Sequence, residues 1–263
     1  EISECLVGSE MCIRDSKRFM KVVSTSLLIS MLACSTVFGA EINAGTGFAG
    51  ALPAESYEME NDVVESLTSE QVKIKSEKEE LDVSAVIKPS KARAVTWDYL
   101  DDGYTVYGQI NNYYCGPATV KGALKYLTGK TYSQSTIASA CGTTTSGTYL
   151  APMVKYLNSK ISSNYYVQKN GVNKTDMVNY LYSSIALYDM PPIVGIACST
   201  ADGWKYTSGG HFIAINGVTT DGSTFNIADS LIMYLGYSSG SFYDKSATTL
   251  YNAYNAVNIG LCW

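Results

Sequence analysis

The chain has 263 residues but only one histidine, no Glu after Glu80 and no Arg after Arg93. A single histidine excludes multi-histidine zinc sites and Cys-His-His catalytic sites. The formal net charge of −5 argues against a nucleic-acid-binding protein, whose interface is basic. Because 16% of the residues are charged and the mean hydropathy is near zero, a disordered chain and a multi-span membrane protein are both excluded.

The charges divide the chain near residue 93. Residues 41–93 contain 11 acidic and 6 basic side chains, a net charge of −5, whereas residues 94–263 contain 9 Asp and 9 Lys, a net charge of 9 − 9 = 0. The second segment also contains 20 of the 21 Tyr. We expect residues 94–263 to form one globular domain. For residues 41–93, in which charge spacing predicts a helix over 63–81, the interpretation is an acidic, solvated linker, with an inhibitory propeptide as the alternative.

The first 40 residues are interpreted as lying outside this domain. Residues 1–19 resemble a translated adapter sequence and are taken as a non-native extension. From Met20, a short positive region, an apolar stretch and the small residues before Glu41 predict a signal peptide over residues 20–40. We therefore expect a secreted bacterial protein with no stable membrane insertion after the signal is removed. Cys34 lies in a loose lipoprotein pattern, so a lipid anchor is the alternative.

Four cysteines remain beyond residue 40, namely Cys115, Cys141, Cys198 and Cys262. They form no CxxC pair, and no second histidine accompanies them, so we predict neither a metal nor a cofactor. Cys198 and Cys262 lie in apolar runs that indicate buried strands. A disulfide between these two is compatible with an oxidising compartment.

Cys115 is predicted to lie at the N-terminus of a helix. Pro117 suits a first helical turn, an apolar stripe follows at helical spacing, and Gly129 closes the pattern. The free N–H groups of a helix start favour a thiolate, which makes Cys115 a candidate nucleophile, with a buried structural cysteine as the alternative. Gln109 could donate an N–H beside the backbone N–H of Cys115 and so form an oxyanion hole. The alternative for Gln109 is an ordinary surface residue.

His211 follows two glycines and opens the predicted strand FIAINGV. Asp221 and Gly222 mark a hairpin turn before a second strand that ends near Asp229. A five-residue loop would set His211 opposite Asp229, and a tighter loop would slide the partner by one to three residues. An Asp beside the imidazole would fix its tautomer and stabilise the imidazolium. A lone histidine that is simply part of the core is the alternative.

The Q-x5-C-G-P-A helix start, the G-H-F-I-A-I strand and the following I-A-D resemble cysteine peptidases of the bacteriocin-processing, double-glycine leader peptidase type and their stand-alone secreted relatives. The resemblance covers residues 97–263 and implies a papain-like α+β fold, with a Cys-bearing helix packed on an antiparallel sheet that carries His and Asp. It also implies roles for four residues: nucleophile Cys115, general base His211, orienting Asp229 and oxyanion-binding Gln109. Ser230 is a departure, since relatives often have Pro at this position.

From these observations we predict a secreted cysteine peptidase that hydrolyses a peptide or protein substrate. One alternative is an amidase or acyl transferase that acts on cell-wall peptides with the same residues. Another is a catalytically silent, Tyr-rich surface-binding domain. The Tyr residues are accompanied by few basic residues, so a nucleic-acid partner is not expected.

Overall fold

The structure is a computed structural model that describes residues 48–54, 66–87 and 94–263. The predicted extension and signal peptide, including Cys34, lie outside these residues. No helix within the described ranges has the length and apolar character that a membrane span requires.

Seven α-helices are found in the described part of the chain, and their ends follow local capping chemistry. Ser133, Asn173 and Ser246 each accept a backbone N–H at a helix start, as their sequence patterns predict. Gly129 takes the left-handed conformation that ends the Cys115 helix. The helices are α1 (Ser69–Glu80), α2 (Cys115–Thr128), α3 (Gln134–Ala140), α4 (Leu150–Lys160), α5 (Lys174–Ala186), α6 (Ser230–Tyr234) and α7 (Ala247–Asn255).

The strands of the described residues form a single mixed sheet that is mainly antiparallel. Six of them follow the order β3-β8-β4-β5-β6-β7, while β1 pairs in parallel and β2 pairs antiparallel with the long strand β5. The strands are β1 (Phe48–Ala49), β2 (Trp97–Tyr99), β3 (Gln168–Lys169), β4 (Ile193–Cys198), β5 (Ser208–Thr219), β6 (Thr224–Ala228), β7 (Phe242–Ser246) and β8 (Leu261–Cys262).

Both faces of the sheet are covered because neighbouring residues of its central strands point to opposite sides. Ile193 and Phe212 pack into the core formed with α2, α3 and α4. Val194 and Ile213 belong instead to the core formed with α5 and α7. Each fully buried side chain of this size stabilises the fold by about 1.5–3 kcal/mol. The predicted α+β class is confirmed, and the helix that starts at Cys115 packs against β5.

The leader helix α1 packs against the domain. Buried Gln71 donates its side-chain amide to the carbonyl oxygens of Asn158 and Ile161, each at 2.7 Å. Lys78 is also buried, and its Nζ donates to the carbonyl oxygen of Tyr165 at 2.9 Å. Helix α1 is therefore attached to the domain by one face, while most of its side chains are exposed. The helix that charge spacing predicts over residues 63–81 is found as α1, which begins at Ser69 and ends at Glu80.

Cys198 and Cys262 are both buried strand residues, as predicted, but both are free thiols. Cys262 pairs with Ile193 at the start of β4, whereas Cys198 ends that strand. Five residues of strand span about 16 Å, and disulfide-linked Cα atoms lie within about 7 Å. The disulfide considered from the sequence is therefore excluded by the sheet register.

Candidate active site

Cys115 is the first residue of α2 and is buried, with 1% of its surface exposed. The preceding Tyr114 makes no side-chain cap, so the first N–H groups of the helix are left to the site. Thr119, one turn further on, donates its hydroxyl to the carbonyl oxygen of Phe212 at 3.2 Å. This hydrogen bond attaches the first turn of α2 to β5 beside His211, and so it fixes the thiol relative to the imidazole.

His211 lies near the start of β5, opposite Ile196 of β4. The hairpin loop after β5 contains four residues, 220–223. A β-bulge between Ile215 and Gly217 shifts the register further along the strand, so that Ala214 pairs with Ala228. Asp229 is therefore aligned with Ile213, two residues from His211 on the same face of the strand. The prediction that a five-residue loop sets His211 directly opposite Asp229 is wrong. The alternative prediction, that a tighter loop slides the partner by one to three residues, is confirmed. The two side chains meet diagonally, a contact that diagonal neighbours on antiparallel strands can make.

The Asp229 carboxylate is fully buried and accepts four hydrogen bonds. Its Oδ1 lies 2.9 Å from Nε2 of His211 and accepts the backbone N–H of Leu231 at 2.9 Å. Its Oδ2 accepts the phenol groups of Tyr206 and Tyr243, each at 2.6 Å. The carboxylate is thus held in one orientation from both sides.

These contacts decide the charge state of the pair. Burial alone would lower the pKa of His211, but the charge of Asp229, the hydrogen bond that the ring donates to that carboxylate and the interaction with Cys115 raise it to about 10. Burial works in the other direction on Asp229, yet the imidazolium and the two phenols hold the pKa of that carboxyl below its ordinary value. Both groups therefore stay charged at neutral pH. Since Nε2 faces Asp229, Nδ1 is the ring nitrogen that is left for the thiol.

Gln109 is buried in the loop before α2 and is not a surface residue. Its Nε2 donates to the carbonyl oxygen of Asn111 at 2.7 Å, and its Oε1 accepts the hydroxyl of Ser230 at 3.4 Å. The backbone N–H of Gln109 also donates to the carbonyl oxygen of Ser230. Ser230, the departure from the relatives, thus orients the Gln109 amide. One of the two amide N–H groups is engaged by Asn111, which leaves the other for a ligand.

Four supporting residues were missed by sequence reasoning. Buried Gln134 of α3 donates to the carbonyl oxygen of Gly108 and accepts the N–H of Ile110, so it holds both neighbours of Gln109. Thr119 joins α2 to β5, and Tyr206 and Tyr243 hold Asp229. Nothing in the sequence distinguishes these two Tyr from the other 19. A Gln directly after a strong helix cap, as Gln134 is after Ser133, offers no signal either.

The arrangement can generate a sulfur nucleophile. An imidazole that carries a proton between a thiol and a buried carboxylate stabilises the thiolate, and the carboxylate fixes its tautomer. Within the described ranges, no group of three or more His, Cys, Asp or Glu side chains is arranged so that it could hold a metal ion. The expectation of no metal stays a prediction.

Comparisons with known proteins bear on the whole domain. One solved structure, the peptidase domain of Streptococcus ComA, a bi-functional ABC transporter involved in a quorum-sensing pathway, is 18% identical, with a TM-score of 0.40; the match covers 61% of this chain and 94% of that one. A C39-like peptidase from Bacillus anthracis is 14% identical, with a TM-score of 0.44 and coverages of 62% and 95%. No curated protein matches.

The family assignment is independent of these two likenesses. The model of the Peptidase_C39 like family matches residues 102–258, which is 157 of 263 residues and includes Gln109, Cys115, His211 and Asp229. The matched range covers more than half of the chain and nearly all of the domain. The chain belongs to the Peptidase_C39 like family and is a cysteine peptidase.

Proposed function

We propose that the peptidase acts through Cys115 as nucleophile, His211 as general acid and base, Asp229 as the orienting carboxylate, and Gln109 with the Cys115 N–H as oxyanion donors. The observation that carries this proposal is the buried imidazole of His211, which lies 2.9 Å from Asp229 and whose pKa is raised by Asp229 and by Cys115. The buried Gln109, oriented by Ser230, supports the oxyanion role.

The chemistry follows from these positions. The Cys115 thiolate attacks a peptide carbonyl carbon, and the π-electron pair moves to the carbonyl oxygen, which the two N–H donors stabilise. His211 gives its proton to the leaving nitrogen as the C–N bond breaks, and a thioester remains. Water then loses a proton to His211 and attacks the thioester. The acid product leaves, and the thiolate–imidazolium pair is restored.

The substrate we propose is a peptide or an exposed protein loop, met outside the cell after removal of residues 20–40. An extended main chain fits the site because the backbone groups of Thr148 and Gly210, on either side of Cys115, already hydrogen-bond the main chain of residues 50–52. The formal net charge of −5 argues against a nucleic-acid partner, whose binding surface would be basic.

The test is alkylation of the full chain by iodoacetamide between pH 4 and 9, with peptide mapping of each thiol. We expect the labelling of Cys115 at pH 5 to remain close to its rate at pH 8, whereas an ordinary free thiol reacts only as the pH approaches about 8.5. The His211→Gln variant should lose this acid-range reactivity. The proposal fails if Cys115 follows the profile of an ordinary thiol in both proteins, and a catalytically silent binding domain would then account for the site.

A further inference from the structure

Residues 48–54, which we call the cleft strap, cross the active site. A Cβ atom on Gly50 would lie 2.7 Å from the Sγ atom of Cys115 and 3.2 Å from the backbone of Tyr113. The glycine backbone therefore lies directly against the thiol, at a point where no larger residue fits. With the strap in place, Cys115 is 1% exposed and His211 is 2% exposed. A nucleophile this inaccessible cannot meet a peptide from solution.

The strap is bound through its main chain, as an extended peptide would be. Gly50 donates its N–H to the carbonyl oxygen of Gly210 at 2.8 Å and accepts the N–H of Thr148 at 2.8 Å. Leu52 donates to the carbonyl oxygen of Thr148 at 2.9 Å, and Ala54 donates to that of Asn258 at 2.7 Å. These bonds connect the strap to both walls of the cleft.

The walls are glycines where the strap passes closest. A side chain on Gly147 would overlap the carbonyl group of Gly50, and one on Gly210 would overlap the carbonyl oxygen of Ala51. Gly147 also has a φ of +124°, which side-chain-bearing residues rarely adopt. The cleft is therefore shaped to receive a main chain at this height above the thiol.

The Gly50 carbonyl is oriented away from attack. Cleavage after Gly50 would need its carbonyl oxygen at the N–H groups of Cys115 and Gln109. That oxygen accepts the N–H of Thr148 instead, and the Cα atom faces the sulfur. The strap thus has the contacts of a ligand without the alignment of a substrate.

A second attachment holds the leader on the domain. Helix α1 follows the strap in the chain and is anchored by Gln71 and Lys78. The side chain of Thr68 also donates to the carbonyl oxygen of Ser162 at 3.0 Å. The leader therefore contacts the domain both at the thiol and at the end of α4.

We propose that the cleft strap is an internal inhibitor of the peptidase, an uncleaved peptide ligand that keeps Cys115 covered until the leader is displaced. The inference rests on the proposed function, because it assigns the regulation of that same site. It also identifies the main-chain groups of Thr148 and Gly210 as the groups that bind an extended peptide.

The experiment compares the full chain with its Gly50→Val and Gly50→Ala variants, in which the added side chain collides with Sγ. We expect Cys115 in Gly50→Val to react with iodoacetamide at least about tenfold faster at a fixed pH, since local opening of the strap no longer limits access. Gly50→Ala should give a smaller acceleration. Ala94→Val, which adds the same side chain to an exposed residue, should match the wild type.

Three buried thiols serve as internal controls for folding. Burial raises the pKa of Cys141, Cys198 and Cys262 to about 12, so all three should stay unlabelled while the domain is folded. If all four thiols label in Gly50→Val, that variant has unfolded, and Gly50→Ala decides the question. A peptide of residues 48–54, added at millimolar concentration to the faster variant, should slow the labelling again.

The outcomes separate the two proposals. Equal rates of Cys115 labelling in the wild type, Gly50→Ala and folded Gly50→Val would overturn the proposal that the strap is an inhibitor. A cut beside Gly50, present in the wild-type mass spectrum and absent in Cys115→Ala, would also overturn it and make the strap a substrate. If Cys115 becomes accessible in Gly50→Val but labels at acidic pH no better than an ordinary thiol, the inhibitor stands and the proposed catalytic function fails.

Discussion

Two buried basic side chains, His211 and Lys78, have pKa values that are shifted in opposite directions. His211 is enclosed in the active site, and its pKa is raised to about 10 because Asp229 supplies a negative charge at 2.9 Å. Lys78 is enclosed under α1, and its pKa is lowered to about 7 by burial, which the distant influence of Cys262 offsets only in part. Its Nζ contacts a carbonyl oxygen, the Sδ atom of Met190 and aromatic rings, but no carboxylate of the residues that the structure describes. The counter-charge, rather than depth, decides whether a buried base keeps its proton.

The two sites therefore give stability opposite dependences on pH. His211 has a raised pKa, so its contribution is complete below about 6.5 and is lost as the pH rises through about 10. Lys78 has a lowered pKa, so unfolding, which restores a pKa of 10.5, becomes less favourable as the pH rises from about 7. Between about pH 7 and 8.5, below the ordinary pKa of Cys and Tyr side chains, the two slopes oppose each other.

Replacing Asp229, which removes the counter-charge of His211, is expected to have the largest effect. In Asp229→Asn the imidazole loses its counter-charge, so the pKa of His211 falls below its ordinary value and the neutral ring no longer stabilises the thiolate. We expect kcat to fall by about 10⁴-fold, in line with loss of a triad carboxylate. We also expect the unfolding free energy to fall by about 3–5 kcal/mol, as when one member of a buried ion pair is removed.

Peptide hydrolysis measured in the Gly50→Val background, together with urea unfolding between pH 7 and 8.5, checks this prediction. The unfolding free energy of Asp229→Asn should rise with pH across this window, because the contribution of Lys78 is then unopposed. An unchanged rate of hydrolysis would remove Asp229 from the catalytic assignment.

Replacing Lys78 gives a smaller change in the opposite direction. Lys78→Met removes a cation that has no carboxylate partner within the described ranges and keeps most of the apolar volume, so we expect the protein to gain about 1–4 kcal/mol at pH 7. Lys73→Met, on the exposed face of α1 where the ion pairs are solvated, should change stability by less than about 1 kcal/mol. Urea unfolding of both variants distinguishes the cases.

The pH dependence of the unfolding free energy gives a second test of the role of Lys78. In Lys78→Met the unfolding free energy should fall between about pH 7 and 8.5, because the contribution of His211 is then unopposed. The groups that face Lys78 do not titrate in this window, since burial raises the pKa of Cys262 and of Tyr188 to about 12. A loss of stability on replacing Lys78, with a slope equal to that of the wild type, would contradict its assignment as an uncompensated base.

The smallest expected effect is at the phenols that share Oδ2 of Asp229. In Tyr243→Phe the carboxylate keeps the hydrogen bond from Tyr206, so the charge is weakened rather than removed. The pKa of His211 should fall by about one unit, equivalent to about 1.4 kcal/mol. NMR titration of the single histidine measures this shift directly. Tyr251→Phe, on α7 away from Asp229, is the matched control, and equal titration of the two variants would contradict the role of Tyr243.

The sequence predicted the parts of the site that depend on local chemistry. The helix start at Cys115, the caps at Ser133 and Ser246 and the closing Gly129 are all set within four residues. Sequence reasoning found the pairing of His211 with Asp229 although it assumed a five-residue loop. The four-residue loop and the β-bulge between Ile215 and Gly217 together slide the register by two residues, which keeps both side chains on one face.

The contacts that the sequence could not predict join distant segments. Lys78 and Met190 are 112 residues apart, and the strap reaches Cys115 from a leader that composition alone assigns to a linker. Neither contact has a periodicity or a motif, since each depends on how the folded domain presents a pocket or a groove. Long-range polar contacts of this kind become visible only when the fold is known.

The covalent connection of the cleft strap to the cleft has a consequence for competition. A tethered segment is present at its own site at an effective concentration on the order of millimolar, and dilution of the protein does not lower it. A strap that binds only weakly as a separate peptide therefore still excludes a micromolar substrate. Accumulation of substrate is then a poor trigger for this peptidase, whereas one cut in the leader would convert a constant local inhibitor into a peptide that diffuses away.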